Sequence, residues 1–324
     1  MKKFILSATG AVTALLPLRF RHAIAKSLIE DRALAQEYGY FYLSSLARKL
    51  NVVQLAASGQ YGIMASSSND LSILKKYAET GRWAPELAER LKAFFAGSGG
   101  TYLDIGANIG MTTIPIAQYN DSVKCYAFEP EPVNYRNLLR NIAENCPSSD
   151  IETYQLALHE HDDVLPFEIA DGNLGDHRLH IETGLPAKQN EAGRKIIDVQ
   201  CVRLDDLPIK LTSPVFAKID TQGAEPFVFA GGRQTLARAD AILVEWSPYH
   251  MARLGGGPEI VLRFLEEHFS YGQIEETDAK SGQWGESGPI GEITRRLQST
   301  ITEWRDDPMS YVDLVATKIP SIAR

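Results

Sequence analysis

Apolar positions along this chain fall into two regimes, with the change at a glycine cluster near residue 98. Before it, Leu28, Leu34, Tyr38, Tyr42, Leu46 and Leu50 recur at helical spacing across residues 26–57, and Glu30, Arg32, Glu37, Arg48 and Lys49 fill the positions between them. This pattern predicts an amphipathic helical preface. The segment from Gly59 to Met64 reads as a short strand. Asn69-Asp70 then introduces a helix through Leu71, Leu74 and Tyr77 that stops at Gly81. A further helix from Pro85 to Phe95 opens on proline, and Gly97-Ser98-Gly99-Gly100 closes it.

After the glycines the period changes. Short apolar runs at 101–105, 125–128, 151–158, 215–220, 241–245 and 311–317 predict strands. Helices are expected at 111–119, 131–145, 224–237, 258–268 and 290–304. Such alternation predicts an α/β fold, a mostly parallel, seven-stranded doubly wound sheet occupying residues 98–318, with residues 1–97 as an N-terminal helical extension. One region interrupts the rhythm: residues 164–169 and 195–204 read as two strands around a polar loop from Asp171 to Gly193. Loops of that length are usually functional, and this one is expected to act as a substrate lid.

Composition narrows the partners. The chain has 324 residues, 44% of them hydrophobic, enough for a full core. Its formal charge of −8, with no basic stripe, argues against a nucleic-acid substrate and favours a small molecule. Cys125, Cys146 and Cys201 are widely separated and form no C-x-x-C pair, as expected of reduced thiols in a cytoplasmic protein. Lys2-Lys3 and the stretch from Phe4 to Leu18 imitate a signal peptide. However, Ser7, Thr9, Gly10 and Thr13 dilute the apolar run, and Arg19, Arg21 and His22 put charge before the supposed cleavage point. The run also falls short of the roughly 20 apolar residues of a membrane span.

Candidate chemistry gathers at strand ends. In Thr101-Tyr-Leu-Asp-Ile-Gly-Ala-Asn-Ile-Gly110 a strand closes on Asp104 and gives way to Gly106 and Gly110. The second strand ends in Glu129, where an acid suits the two hydroxyls of a nucleoside ribose. A dinucleotide fingerprint would need glycines where Asn108 and Met111 stand, and a side chain at 108 obstructs a diphosphate. The pattern therefore favours S-adenosylmethionine, with the Asp104 carboxylate near the ammonium of its methionine moiety and Asn108 lining the same pocket. No P-loop motif is present here. Asp220 and Glu245 close two central strands, where open sheets collect their ligands; Asp220 is a candidate general base for a hydroxyl proton. His177, beside Asp176 and Arg178 in the loop, is a second candidate base. The pairs His159/His161 and His177/His180 match no zinc spacing, so no metal is expected. Trp246 and Tyr249 are candidates for the acceptor side.

Leu-Asp-Ile-Gly-Ala-Asn-Ile-Gly (103–110), Phe-Glu-Pro-Glu-Pro (128–132), Gln-Leu-Ala-Leu (155–158), Leu-Asp-Asp-Leu (204–207) and Lys-Ile-Asp-Thr-Gln-Gly-Ala-Glu (218–225) occur in an order that resembles the FkbM family of S-adenosylmethionine-dependent methyltransferases. The resemblance implies a class I Rossmann-like methyltransferase fold, transfer to a hydroxyl of a sugar or secondary metabolite, and an adenine flanked by Ala157 and Leu158. One position departs from it. The family usually reads Asp-Val-Glu-Gly-Ala-Glu, whereas this chain has Gln222 in place of the first Glu. A carboxamide cannot accept a proton there, which leaves a non-catalytic binding protein as one alternative. A nicotinamide-dependent oxidoreductase, disfavoured by the missing glycines, is the other.

Overall fold

A computed structural model describes residues 17, 19–20, 39–181, 193–274, 285 and 287–320. Most of the leader-like stretch, the first part of the helical preface and residues 182–192 of the expected lid lie outside the described residues. In chain order the elements are α1 (Tyr40–Lys49), β1 (Gln54–Gly59), β2 (Gly62–Ser67), α2 (Ile73–Thr80), α3 (Pro85–Phe94), β3 (Gly100–Ile105), α4 (Thr113–Tyr119), β4 (Val123–Phe128), α5 (Pro132–Asn145), β5 (Ile151–Tyr154), β6 (Ala157–Leu158) and β7 (Asp163–Ile169). There follow β8 (Arg178–Leu179), β9 (Lys195–Val202), β10 (Val215–Ile219), α6 (Glu225–Gly231), α7 (Arg233–Leu236), β11 (Ala241–Trp246), α8 (Pro248–Arg253), α9 (Pro258–His268), β12 (Tyr271–Ile274), β13 (Gly288–Pro289), α10 (Ile290–Trp304) and β14 (Val312–Thr317). No helix among the described residues is long and apolar enough to cross a membrane.

The main sheet has the order β13-β12-β14-β11-β10-β3-β4-β5. Strands β11, β10, β3, β4 and β5 run parallel; β14 joins β11 antiparallel, β12 pairs antiparallel with β14 and so runs in the direction of the central five, and β13 pairs antiparallel with β12. The sheet has the expected seven strands, with the two-residue β13 added at one edge; six fall on the runs named in the sequence, and β12, at Tyr271–Ile274, is one that the pattern missed. From β3 the chain winds outward through β4 and β5, then crosses back to β10 and β11 on the other side. That reversal opens a crevice beyond the carboxyl ends of β3 and β10. Alternate residues of each strand enter opposite layers: Tyr102, Cys125 and Phe216 pack into one cluster with α3 and α4, while Leu103, Tyr126 and Ala217 pack into the other with α6 and α9.

Residues 40–95 belong to the first of these layers. Tyr40, Leu50, Met64 and Tyr77 share a continuous buried cluster with Tyr102, Phe216, Leu243 and Val315. Helix α5 secures the β1–β2 hairpin through asparagines four residues apart, a spacing that places them on one helix face. Asn141 Oδ1 accepts the Ala65 N–H at 2.7 Å while its Nδ2 donates to the Ala65 carbonyl at 3.0 Å. Asn145 treats Ile63 in the same way, at 2.9 and 2.8 Å. The helix thereby supplies the free edge of β2 with the hydrogen bonds a further strand would have given.

Four expectations change. The short strand expected at Gly59–Met64 is instead the turn of the antiparallel β1–β2 hairpin, with Gly59 opposite Gly62, so the segment before the sheet is not purely helical. The predicted strand 151–158 divides: β5 stays in the main sheet, and β6 leaves it to pair with β9 in a second sheet of order β6-β9-β7-β8. The helix expected at 224–237 is two helices, separated at Gly232. The strands around the polar loop form a long antiparallel pair, Asp163↔Cys201 through Ile169↔Lys195, from which Phe167 lines the crevice.

Candidate functional site

The crevice encloses about 450 Å³, within the roughly 300–1,000 Å³ of small-ligand sites. Its floor is the ends of β3, β4, β10 and β11. Leu156, Ala157 and Leu158 form one wall, residues 173–179 another, and Ile73, Trp83, Met309 and Tyr311 complete the surround. The wall segment is tethered: Leu71 N–H donates to the Gly172 carbonyl at 2.7 Å and Asn69 Nδ2 to Asp171 Oδ1 at 2.9 Å. From the other side, the Leu174 carbonyl accepts from Asn108 Nδ2 at 2.8 Å and Asn134 Nδ2 at 3.2 Å.

At the β3 end the backbone turns through Gly106 (φ 81°) and Asn108 (φ 51°). A Cβ on Gly106 would lie 1.9 Å from the Asp220 carbonyl oxygen, so only glycine lets this turn pass the end of β10. Glu129 is 5% exposed, lines the crevice, and accepts the Asn108 N–H at 2.9 Å on Oε2 and the Glu131 N–H at 2.8 Å on Oε1. Burial pushes its carboxyl up to about 8, against the two backbone donors, which favour the charged form. Each oxygen keeps a lone pair for a further donor.

Two residues expected on the cofactor sit behind the turn instead. Asp104 is 0% exposed and is not itself a lining residue of the crevice, although Thr112 and Lys218 are; its Oδ2 accepts from Thr112 and Thr113 Oγ1, both at 2.6 Å, and its Oδ1 lies 3.3 Å from Lys218 Nζ. Register on β3 and β10 places Asp104 directly opposite Lys218, so its carboxylate is already taken up by that ammonium and by the two threonine hydroxyls. Gly110 also stays off the crevice, where a Cβ would meet Leu138 at 2.8 Å, so it serves the packing of α5 rather than a ligand.

The other end of the crevice holds Asp220, Gln222 and Glu245. The Asp220 side chain is 35% exposed, with Oδ2 3.6 Å from Lys218 Nζ. Gln222 Nε2 donates to Asp220 Oδ1 at 2.9 Å and lies 3.1 Å from both oxygens of Glu245. Burial first, then the charges of Asp220, Asp313 and Glu225, holds the Glu245 carboxyl well above the ordinary carboxylate range. Burial alone would lower the Lys218 ammonium, but Asp104 and Asp220 outweigh it and keep the lysine charged. Its Nζ also donates to the Gly106 carbonyl at 2.9 Å, tying the two ends together. Lys218 and Glu225 were absent from the expected site. A lysine inside a wholly apolar strand was the available signal, because a buried ammonium requires a carboxylate partner. Glu225 shapes the loop from beneath, accepting from Thr221 N–H, Thr221 Oγ1 and Gly223 N–H.

His177 does line the crevice, but its Nδ1 accepts the Ala170 N–H at 2.9 Å and burial lowers its pKa to about 4. It is neutral at physiological pH, with its proton on Nε2 and no free lone pair to take another. Trp246 and Tyr249 are core residues. Trp246 is fully buried with Nε1 donating to the Pro258 carbonyl, Tyr249 is 4% exposed, and their neighbours Glu245 and His250 face the crevice in their place.

Strand order, the reversal beside β3 and an acid at the end of β4 define a class I Rossmann-like methyltransferase. Residues 104–271 match the Methyltransferase FkbM domain, and the chain belongs to that family. Its methyl donor is S-adenosylmethionine, which displaces the nicotinamide alternative. The 2-O-methyltransferase NoeI of Sinorhizobium fredii (strain NBRC 101917 / NGR234) is 25% identical over 154 residues, 45% of this chain and 62% of that protein. The chain thus matches less than two thirds of that relative's length. Among solved structures, the methyltransferase FkbM from Methylobacillus flagellatus KT is similar at 14% identity and TM-score 0.35, covering 91% of this chain and 57% of that one. M. jannaschii TYW2 in complex with AdoMet is similar at 12% identity and TM-score 0.39, covering 82% and 87%. These superpositions are partial.

The residues present suit that cofactor. Glu129 offers two acceptor sites to a vicinal diol, Ala157 and Leu158 give apolar contact, and no glycine opens room for a diphosphate at Asn108.

Proposed function

We propose that the chain is an O-methyltransferase acting on a hydroxyl of a sugar or secondary metabolite, with Asp220 as proton acceptor. S-adenosylmethionine supplies an electrophilic methyl group. Gly106 and Asn108 would hold it at the β3 turn, Glu129 would take its ribose hydroxyls, and Ala157 and Leu158 would flank its adenine. The part-exposed Asp220 carboxylate, in the same crevice as Glu129, is the observation that carries the reading. Transfer to oxygen needs the hydroxyl proton removed, and the Asp220 carboxylate, 3.6 Å from Lys218 Nζ, can accept it. His177 keeps a structural part, holding Ala170 in the wall. The crevice walls contribute orientation and exclude water. NoeI, named as a 2-O-methyltransferase, supports oxygen as the acceptor. A small neutral acceptor also agrees with the −8 charge, which disfavours nucleic acid.

The test is incubation with radiolabelled S-adenosylmethionine and a panel of glycans and hydroxylated metabolites. Label in a product that resists amide and ester hydrolysis and carries a methyl ether supports the reading. Label only on nitrogen or carbon overturns it.

A further inference from the structure

Gln222 occupies the left-handed region, φ 56°, in the loop joining β10 to α6. Residues other than glycine hold that conformation only under strain, and such strain gathers at functional sites. The chain accepts it here because Glu225 binds the loop on both sides of Gln222, at Thr221 and Gly223. The carboxamide then reaches two carboxyl groups on neighbouring strands. With Nε2 at 2.9 Å from Asp220 Oδ1 and 3.1 Å from Glu245 Oε1 and Oε2, each N–H has its own carboxyl acceptor. Turning the amide over would set its oxygen against the Asp220 carboxylate, so the orientation is decided by charge.

We propose that Gln222 is a positioning residue, a shared donor that ties Asp220 to Glu245 and keeps both carboxyl groups in one arrangement at the acceptor end of the crevice. This rests on Asp220 as the proton acceptor. The substitution that distinguishes this chain from the usual family sequence then has a constructive role: a third carboxyl between two others would repel both, whereas the amide joins them. The charged and titratable groups around the pair are Lys218 of β10, Asp104 of β3, Glu225 of α6, Asp313 of β14 and His250 of α8. Lys218 is the cation among them, and it reaches Asp220 at 3.6 Å from the side opposite to Gln222's nitrogen, on the other carboxylate oxygen.

The experiment is side-chain carboxyl NMR on the full chain without ligand, with Asp220 and Glu245 assigned by the signals lost in D220N and E245Q. Gln222→Leu removes the donor, and both titrations should move to higher pH. Gln222→Glu should move the Asp220 titration further, by roughly one pH unit or more, as a like charge in contact does. Thermal melting of each variant identifies folded protein, and Gln222→Asn, too short to reach both partners, should follow Gln222→Leu. Unchanged Asp220 and Glu245 titrations in folded Gln222→Leu overturn the proposal. The acid limb of labelled turnover is read in parallel. If it moves with the Asp220 titration, both the shared donor and the base assignment are supported. If the carboxyl titrations move and the limb does not, the shared donor stands and Asp220 is not the base.

Discussion

The two ends of the crevice are held by different chemistry. At the Glu129 end the carboxylate is fixed by backbone N–H groups of Asn108 and Glu131, which no side-chain substitution removes. At the Asp220 end every polar partner is a side chain, Gln222 on one oxygen and Lys218 near the other, and Lys218 depends in turn on Asp104. The first end is therefore robust and local, and the second is a balance among residues brought together from three strands. The turn at Glu129 can persist while the balance at the other end changes, and Gln222 is the side chain through which that balance would be adjusted.

The comparison breaks most visibly at Asp220. Asp220→Asn should lower turnover about 10²–10⁴-fold, the usual worth of a positioned general base, and leave cofactor affinity unchanged. Equal losses in turnover and affinity would merge the two ends into one. Glu129→Gln should do the opposite, weakening the cofactor by about 1.5–3 kcal/mol, the worth of hydrogen bonds to a charged group, as read by titration calorimetry. The sign of its pH dependence follows from the free carboxyl at about 8. Ribose donors favour the ionised form, so binding below that value must release a proton, and affinity should rise with pH and level off above it. In Glu129→Gln that dependence should vanish.

Legibility in the sequence follows the same division. The β3 turn, the acid after β4 and the parallel alternation are short-range patterns, and the architecture could be read from them. What alternation could not show was which partners would take up the Asp104 carboxylate. Its placement opposite Lys218 is a matter of pairing between strands more than a hundred residues apart in the chain. His177 was misjudged for a related reason, since its neutrality comes from burial and from the Ala170 N–H, neither visible in its neighbours. The asparagines of α5 were equally silent, because their partners lie on β2, some 80 residues earlier.

Smaller effects sharpen the picture away from both ends. Asn141→Ala should cost about 1–3 kcal/mol in denaturant unfolding, by leaving Ala65 without partners on the β2 edge, with kcat little changed in the folded fraction. A loss of turnover larger than the loss of folded protein would mean that the hairpin acts on the site directly. The smallest effect is expected at His177. Gln at this position should leave the pH profile between 5 and 8 as it was, whereas loss of an acid limb there would restore the histidine as a base.

The account stands or falls on which end of the crevice takes the nucleoside. A crystal structure with S-adenosylhomocysteine, the demethylated cofactor, decides it. The expected density places the ribose hydroxyls on Glu129, the adenine between Ala157 and Leu158, and the sulfur toward Asp220. A nucleoside bound outside this crevice, or one whose ribose sits on Asp220 with Glu129 untouched, contradicts it.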